Sequence, residues 1–184
     1  WPPVSSLDRF LTLVIPAAAA IELVAGFDSV AKWFAWFLRV ILAAATPRIL
    51  LHDSVYLSDS DFTWSPWDAC VILACCGVLL AVLWSLFASL HQRSPGVSVP
   101  LALSLTVQCA GITVMLAGYI KGGAAAIPLA ATLTAATGAV WLFKKLACNS
   151  TDNYESGIIG IGVVGLAGLL IVGRFFGELS TFSA

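Results

Sequence analysis

Long apolar runs separated by short polar punctuation organise this chain. Stretches of about 20 mostly apolar residues match the length a helix needs to cross a ~30 Å hydrocarbon core. Six occur: Leu7–Phe27, Val30–Leu51, Trp67–Leu90, Val97–Ile120, Ala124–Phe143 and Gly157–Phe176. Strands of a membrane barrel are excluded, because they need only about 10 residues and alternate polar with apolar positions. The pattern predicts an all-α, polytopic transmembrane helical bundle, a single membrane domain over residues 1–184 with a polar linker at 52–66. Val30–Leu51 is the least regular segment, since Lys32 and Arg39 share one helical face and Arg48 follows Pro47. If it lies flat in the interface, five spans remain; the apolar run Val40–Ala45 and the anchor-like cluster of Lys32, Trp33 and Trp36 favour six.

Local signals refine the boundaries. Pro100 and Pro128 fall in opening turns, where a missing N–H costs little. Pro16 lies well inside the first run and predicts a kink that frees the Thr12 carbonyl. Lys121-Gly122-Gly123 predicts a tight hairpin between the fourth and fifth spans.

Composition changes the picture from a hydrophobic core to a hydrophobic surface. Of 184 residues, 60% are hydrophobic and 10% charged, with a mean hydropathy of +0.97. An average globular protein carries roughly 25% charged residues, so lipid must solvate much of this one. A net charge of −1 removes the basic footprint that nucleic-acid binding requires. The first run lacks the cationic lead of a cleaved signal and reads as a retained span. The chain opens at Trp1 and closes soon after an apolar run, which predicts that it is part of something longer or larger. Lys and Arg near the span ends are evenly divided, and the acidic linker tips the expected orientation to both termini on the non-cytoplasmic side. The glycosylation-like triplet Asn149-Ser150-Thr151 then faces the cytoplasm.

Ionisable groups inside a span are costly and often mark ion or proton routes. Glu22 lies just below the interface, and a turn near Asp28 brings it within reach of Lys32. An interfacial pair with a snorkelling Lys32 and a functional carboxylate both fit that position. Arg39 lies deeper and predicts contact with an anionic headgroup or a partner carboxylate, or else snorkelling. His52 and His91 flank the third span, so a full crossing separates them and they cannot clamp one haem iron; Met115 is elsewhere, in the fourth span. Cys70, Cys75, Cys76 and Cys109 sit in apolar runs without CxxC spacing and read as small hydrophobes. Ser58-Asp59-Ser60-Asp61 lacks the glycine and terminal glutamate of a calcium loop. No phosphate-binding, dinucleotide, nucleophile-elbow or zinc-protease motif occurs. No catalytic, cofactor-binding or metal-binding set emerges, and any cofactor would be shared with partner chains.

The small and hydroxylated residues carry the remaining information. Ser104, Gln108, Gly111 and Met115 share one helical face, as do Ala131, Thr134, Ala135 and Gly138. Equal distances from the expected turn pair Gln108 with Thr137. Gly160, Gly165, Gly168, Gly173 and Gly177 give the last span a flat contact face, for a helix of this chain or of a partner. These features predict an integral membrane subunit with a structural, anchoring or assembly role, in contact with lipid and with other membrane subunits or further copies of itself. The alternative is a small transporter or channel with a polar path near Glu22, Arg39 and Gln108.

Overall fold

The computed structural model describes residues 5–27, 32–52, 65–93, 96–147 and 152–176. Among them the regular secondary structure is helical throughout. Six helices run antiparallel to their neighbours in sequence: α1 (a continuous run of Ser6–Arg9, Phe10–Val14 and Ile15–Ala25), α2 (Lys32–Leu51), α3 (Pro66–Arg93), α4 (Ser98–Leu116), α5 (Ile120–Ala147) and α6 (Asp152–Phe176). Five stretches are long and apolar enough to cross a membrane: Trp33–Leu51, Trp67–Arg93, Ser98–Leu116, Ile120–Phe143 and Gly157–Phe176. The chain is a multi-pass helical membrane protein.

The irregular helix is the first, not the second. Its stretches of 4 and 11 α-helical residues flank a π-helical turn of 5, Phe10–Val14. Pro16, which has no N–H to donate, stands immediately beyond that turn, and the Ile15 N–H reaches back to the Phe10 carbonyl in the wider π spacing. The disruption expected at Pro16 is thus taken up by a wider turn, which leaves Phe10 and Val14 fully buried. At the start, Ser5 and Asp8 form a reciprocal capping box. The Arg9 guanidinium bonds the His52 carbonyl, tying the start of α1 to the end of α2.

The centre of the bundle is α6, whose apolar window is 78% buried against 17% for α3. Its glycines make this possible. A Cβ added at Gly162 would meet Leu103 and Leu133, at Gly165 Leu129, at Gly168 the Phe10 ring and at Gly173 Val114. Each glycine therefore receives a large side chain from α1, α4 or α5, and the contact face is consumed within the chain. Gly177, next in the sequence series, lies outside the described residues, as do residues 53–64 of the linker and the triplet at 149–151.

The α4–α5 hairpin turns earlier than the sequence implies. Gly118 adopts a φ of +89° at the turn, a conformation that favours glycine, and Lys121, Gly122 and Gly123 already belong to α5. Gly123 serves close approach instead: a Cβ there would press on the Gly111 carbonyl and on the Met115 backbone N–H. Four of the cysteines are free, with Cys70, Cys75 and Cys109 on the outer surface and Cys76 half-buried, so most face lipid.

Candidate functional site

The principal polar site joins α1 and α2. Glu22 is set on α1 facing the bundle interior, and its carboxylate receives both arms of the Arg39 guanidinium. Nε donates to Oε1 at 2.9 Å and Nη2 to Oε2 at 2.8 Å. The two side chains are 3% and 12% exposed, so the pair is shielded on almost every side. This geometry offsets the burial of two charges, since a bidentate guanidinium–carboxylate contact matches donors to acceptors in one plane.

Aromatic groups complete the enclosure. The Arg39 guanidinium carbon lies 5.5 Å from the Trp36 ring centroid and 5.8 Å from that of Trp84. Both distances are within the ~6 Å over which a ring face attracts a cation. Trp84, on α3, is fully buried. On the other flank, α6 approaches with Gly157 and Gly160, and a methyl group at Gly160 would overlap the carboxylate itself. Four helices therefore meet at one ion pair. Beside it a crevice of about 450 Å³ opens between α1 and α6, walled by Ala19, Leu23, Phe27, Ile158 and Ile161.

The sequence placed Glu22 opposite Lys32, whereas the carboxylate spends both oxygens on Arg39; the Lys32 side chain lies outside the described residues. The difference is one of register. Glu22 meets Arg39, seven residues or two helical turns along α2 from the Lys32 expected to face it. Gly160 was expected on the contact face of the last span but not beside the ion pair, and Trp84 was not identified at all, because neither a tryptophan nor a glycine in an apolar run reveals which helix it will meet.

A second polar contact lies between α4 and α5. The Ser104 hydroxyl is 2.6 Å from that of Thr134 and donates to the Ala130 carbonyl at 2.9 Å. The expected pairing of Gln108 with Thr137 is replaced by this contact one turn away, and Thr137 donates to its own helix at the Leu133 carbonyl. The Ser104–Thr134 pair is centred on residue 119 rather than between 122 and 123, so the residue facing each α4 position shifts by seven, which takes Thr137 away from Gln108 and sets Thr134 opposite Ser104. Gln108 is half-buried on α4, a helix that packs on α5 and α6. The two layers of the bundle thus keep Gln108 apart from the Glu22–Arg39 pair, with α6 between them. His52 and His91 stand at opposite ends of the bundle. Among the described residues no three His, Cys, Asp or Glu side chains gather in a metal-binding group. Comparison with protein-family models, curated proteins and solved structures returns no match.

Proposed function

We propose that this chain is a structural subunit of a larger membrane assembly and that it meets its neighbour through the outer face of α5. One observation carries this reading. Ala124, Pro128, Ala131, Ala135 and Gly138 recur at helical spacing on one face of α5, and all are exposed. Nothing lies within 4 Å of a Cβ added at Gly138. The glycines of α6 receive side chains of this chain, whereas the space beside Gly138 on the outer face of α5 is open. Small residues let helix backbones approach in a bilayer, where dispersion contacts and interhelical hydrogen bonds drive association. The outward surface of α3 carries bulky residues as well, among them Val78, Leu79, Leu86 and Leu90, which suit acyl chains.

The polar interior supports the same reading. Glu22 and Arg39 satisfy one another, Ser104 satisfies Thr134, and the threonines of α4 and α5 bond carbonyls of their own helices. A photo-reactive amino acid at Ala131, irradiated in native membranes, is expected to give a discrete adduct, with a control at the exposed Leu79 giving none. Equal labelling at both positions, or none at either, would overturn the proposal. The transport alternative draws on the crevice beside Glu22, and solute-specific flux through liposomes holding only this chain would establish it instead.

A further inference from the structure

A groove of about 700 Å³ runs down the outside of the bundle between α2 and α3. Its floor is made of small side chains, Ala44 and Ala45 from α2 and Ala74 and Gly77 from α3. Gly77 sets its depth, since a Cβ there would lie 3.2 Å from the Ala43 carbonyl and the Ala44 Cα. The two helices thus approach closely enough to leave a furrow where larger residues would leave a ridge.

The furrow has a polarity. The antiparallel packing puts Arg48 and Cys70 at one end and Val40 and Ala81 at the other. Trp67, 75% exposed, stands one turn beyond Cys70, and exposed tryptophans mark the membrane–water interface. Arg48 is exposed at that same level, with no carboxylate paired to it among the described residues. From there the groove descends eight residues along α2 and eleven along α3, about 12 to 16 Å at 1.5 Å per residue. One leaflet of a ~30 Å hydrocarbon core is about 15 Å deep. The groove is therefore apolar, as deep as one leaflet, and closed at its interfacial end by a single fixed positive charge.

We propose that it holds an anionic phospholipid, with one acyl chain along Ala44, Ala74 and Gly77 and the headgroup phosphate on the Arg48 guanidinium. The charge selects the headgroup, because arginine presents paired donors that suit phosphate oxygens, and the furrow selects a chain rather than a free anion. One cation near the membrane surface gives about a fivefold preference for an anionic headgroup.

The test is retention of lipid by the full chain taken from nanodiscs of equal phosphatidylglycerol and phosphatidylcholine, counted by native mass spectrometry. Phosphatidylglycerol is expected to be retained about fivefold over phosphatidylcholine. Arg48→Gln should abolish that preference, Arg48→Lys should keep part of it, and Ala74→Leu, which fills the furrow from an exposed position, should lower retention of both lipids. Equal retention of the two lipids by the unaltered chain would overturn the proposal. So would total lipid retention untouched by Ala74→Leu, which would mean a headgroup contact without a seated chain, or full displacement by soluble glycerol phosphate, which would mean an anion site alone. Ala44→Leu, on the opposite wall, provides a second filling variant should Ala74→Leu not fold.

Discussion

Adding one methyl group at Gly160 should break an ion pair on two other helices. A Cβ at that position would lie 2.6 Å from Glu22 Cδ and 2.8 Å from Cγ, where ordinary contact begins near 3.4 Å. The carboxylate must therefore retreat by about 1 Å, which would stretch the 2.8 and 2.9 Å bonds to Arg39 beyond hydrogen-bonding range. Each hydrogen bond to a charged group is worth about 1.5 to 3 kcal/mol, and alanine returns up to about 1 kcal/mol in helix propensity. Gly160→Ala should thus destabilise the bundle by about 2 to 5 kcal/mol, a range that overlaps the ~3 to 5 kcal/mol typical of a broken buried pair. The same change in a Glu22→Ala, Arg39→Met background has no carboxylate to displace and should be neutral or stabilising by up to about 1 kcal/mol. Reversible unfolding in mixed micelles, followed by tryptophan fluorescence, measures both. An equal cost in the two backgrounds would refute the claim that Gly160 acts through Glu22.

Arg39→Lys keeps the charge but loses the two-armed contact and the flat surface between Trp36 and Trp84, so a loss of about 1 to 3 kcal/mol is expected by the same unfolding assay. Gly168→Ala drives a methyl group into the Phe10 ring and should cost about 1 to 3 kcal/mol, with Phe10→Leu restoring most of it in the double variant. Ser104→Ala removes the hydroxyl link between α4 and α5 and should cost about 0.6 to 1.7 kcal/mol, without altering the Glu22–Arg39 contact as read by tryptophan fluorescence. Gly165→Leu should lower the melting temperature of the single chain, because the leucine would occupy the space of Leu129 inside the bundle.

The helical class was legible because apolar run length is a direct consequence of bilayer thickness, and α3 to α6 each overlap the run that predicted them. Pairings were harder to read, since each depended on locating a turn. At Gly118 the turn precedes the conspicuous Lys121-Gly122-Gly123 by only a few residues, yet that offset replaced the expected Gln108–Thr137 pair with Ser104–Thr134. Glu22 likewise receives Arg39, two turns along α2 from the Lys32 expected to face it. Pro16 was recognised as a disruption, although its resolution as a π turn depends on Phe10 and Val14 finding buried positions that only the assembled bundle supplies. The glycines of α6 were recognised as a contact face, but whether they serve this chain or another depended on where Phe10, Leu103, Leu129 and Val114 would lie.

The axial position of α6 also has a temporal meaning. Of the six helices described, the one on which the others lean is the last to leave the ribosome. Until residue 157 and its successors enter the bilayer, the earlier five surround a groove that only lipid can fill, and the carboxylate on α1 lacks its glycine lid. A nascent chain halted at that stage would be greasy and loosely held, so the arrival of α6 becomes the checkpoint for a sound bundle.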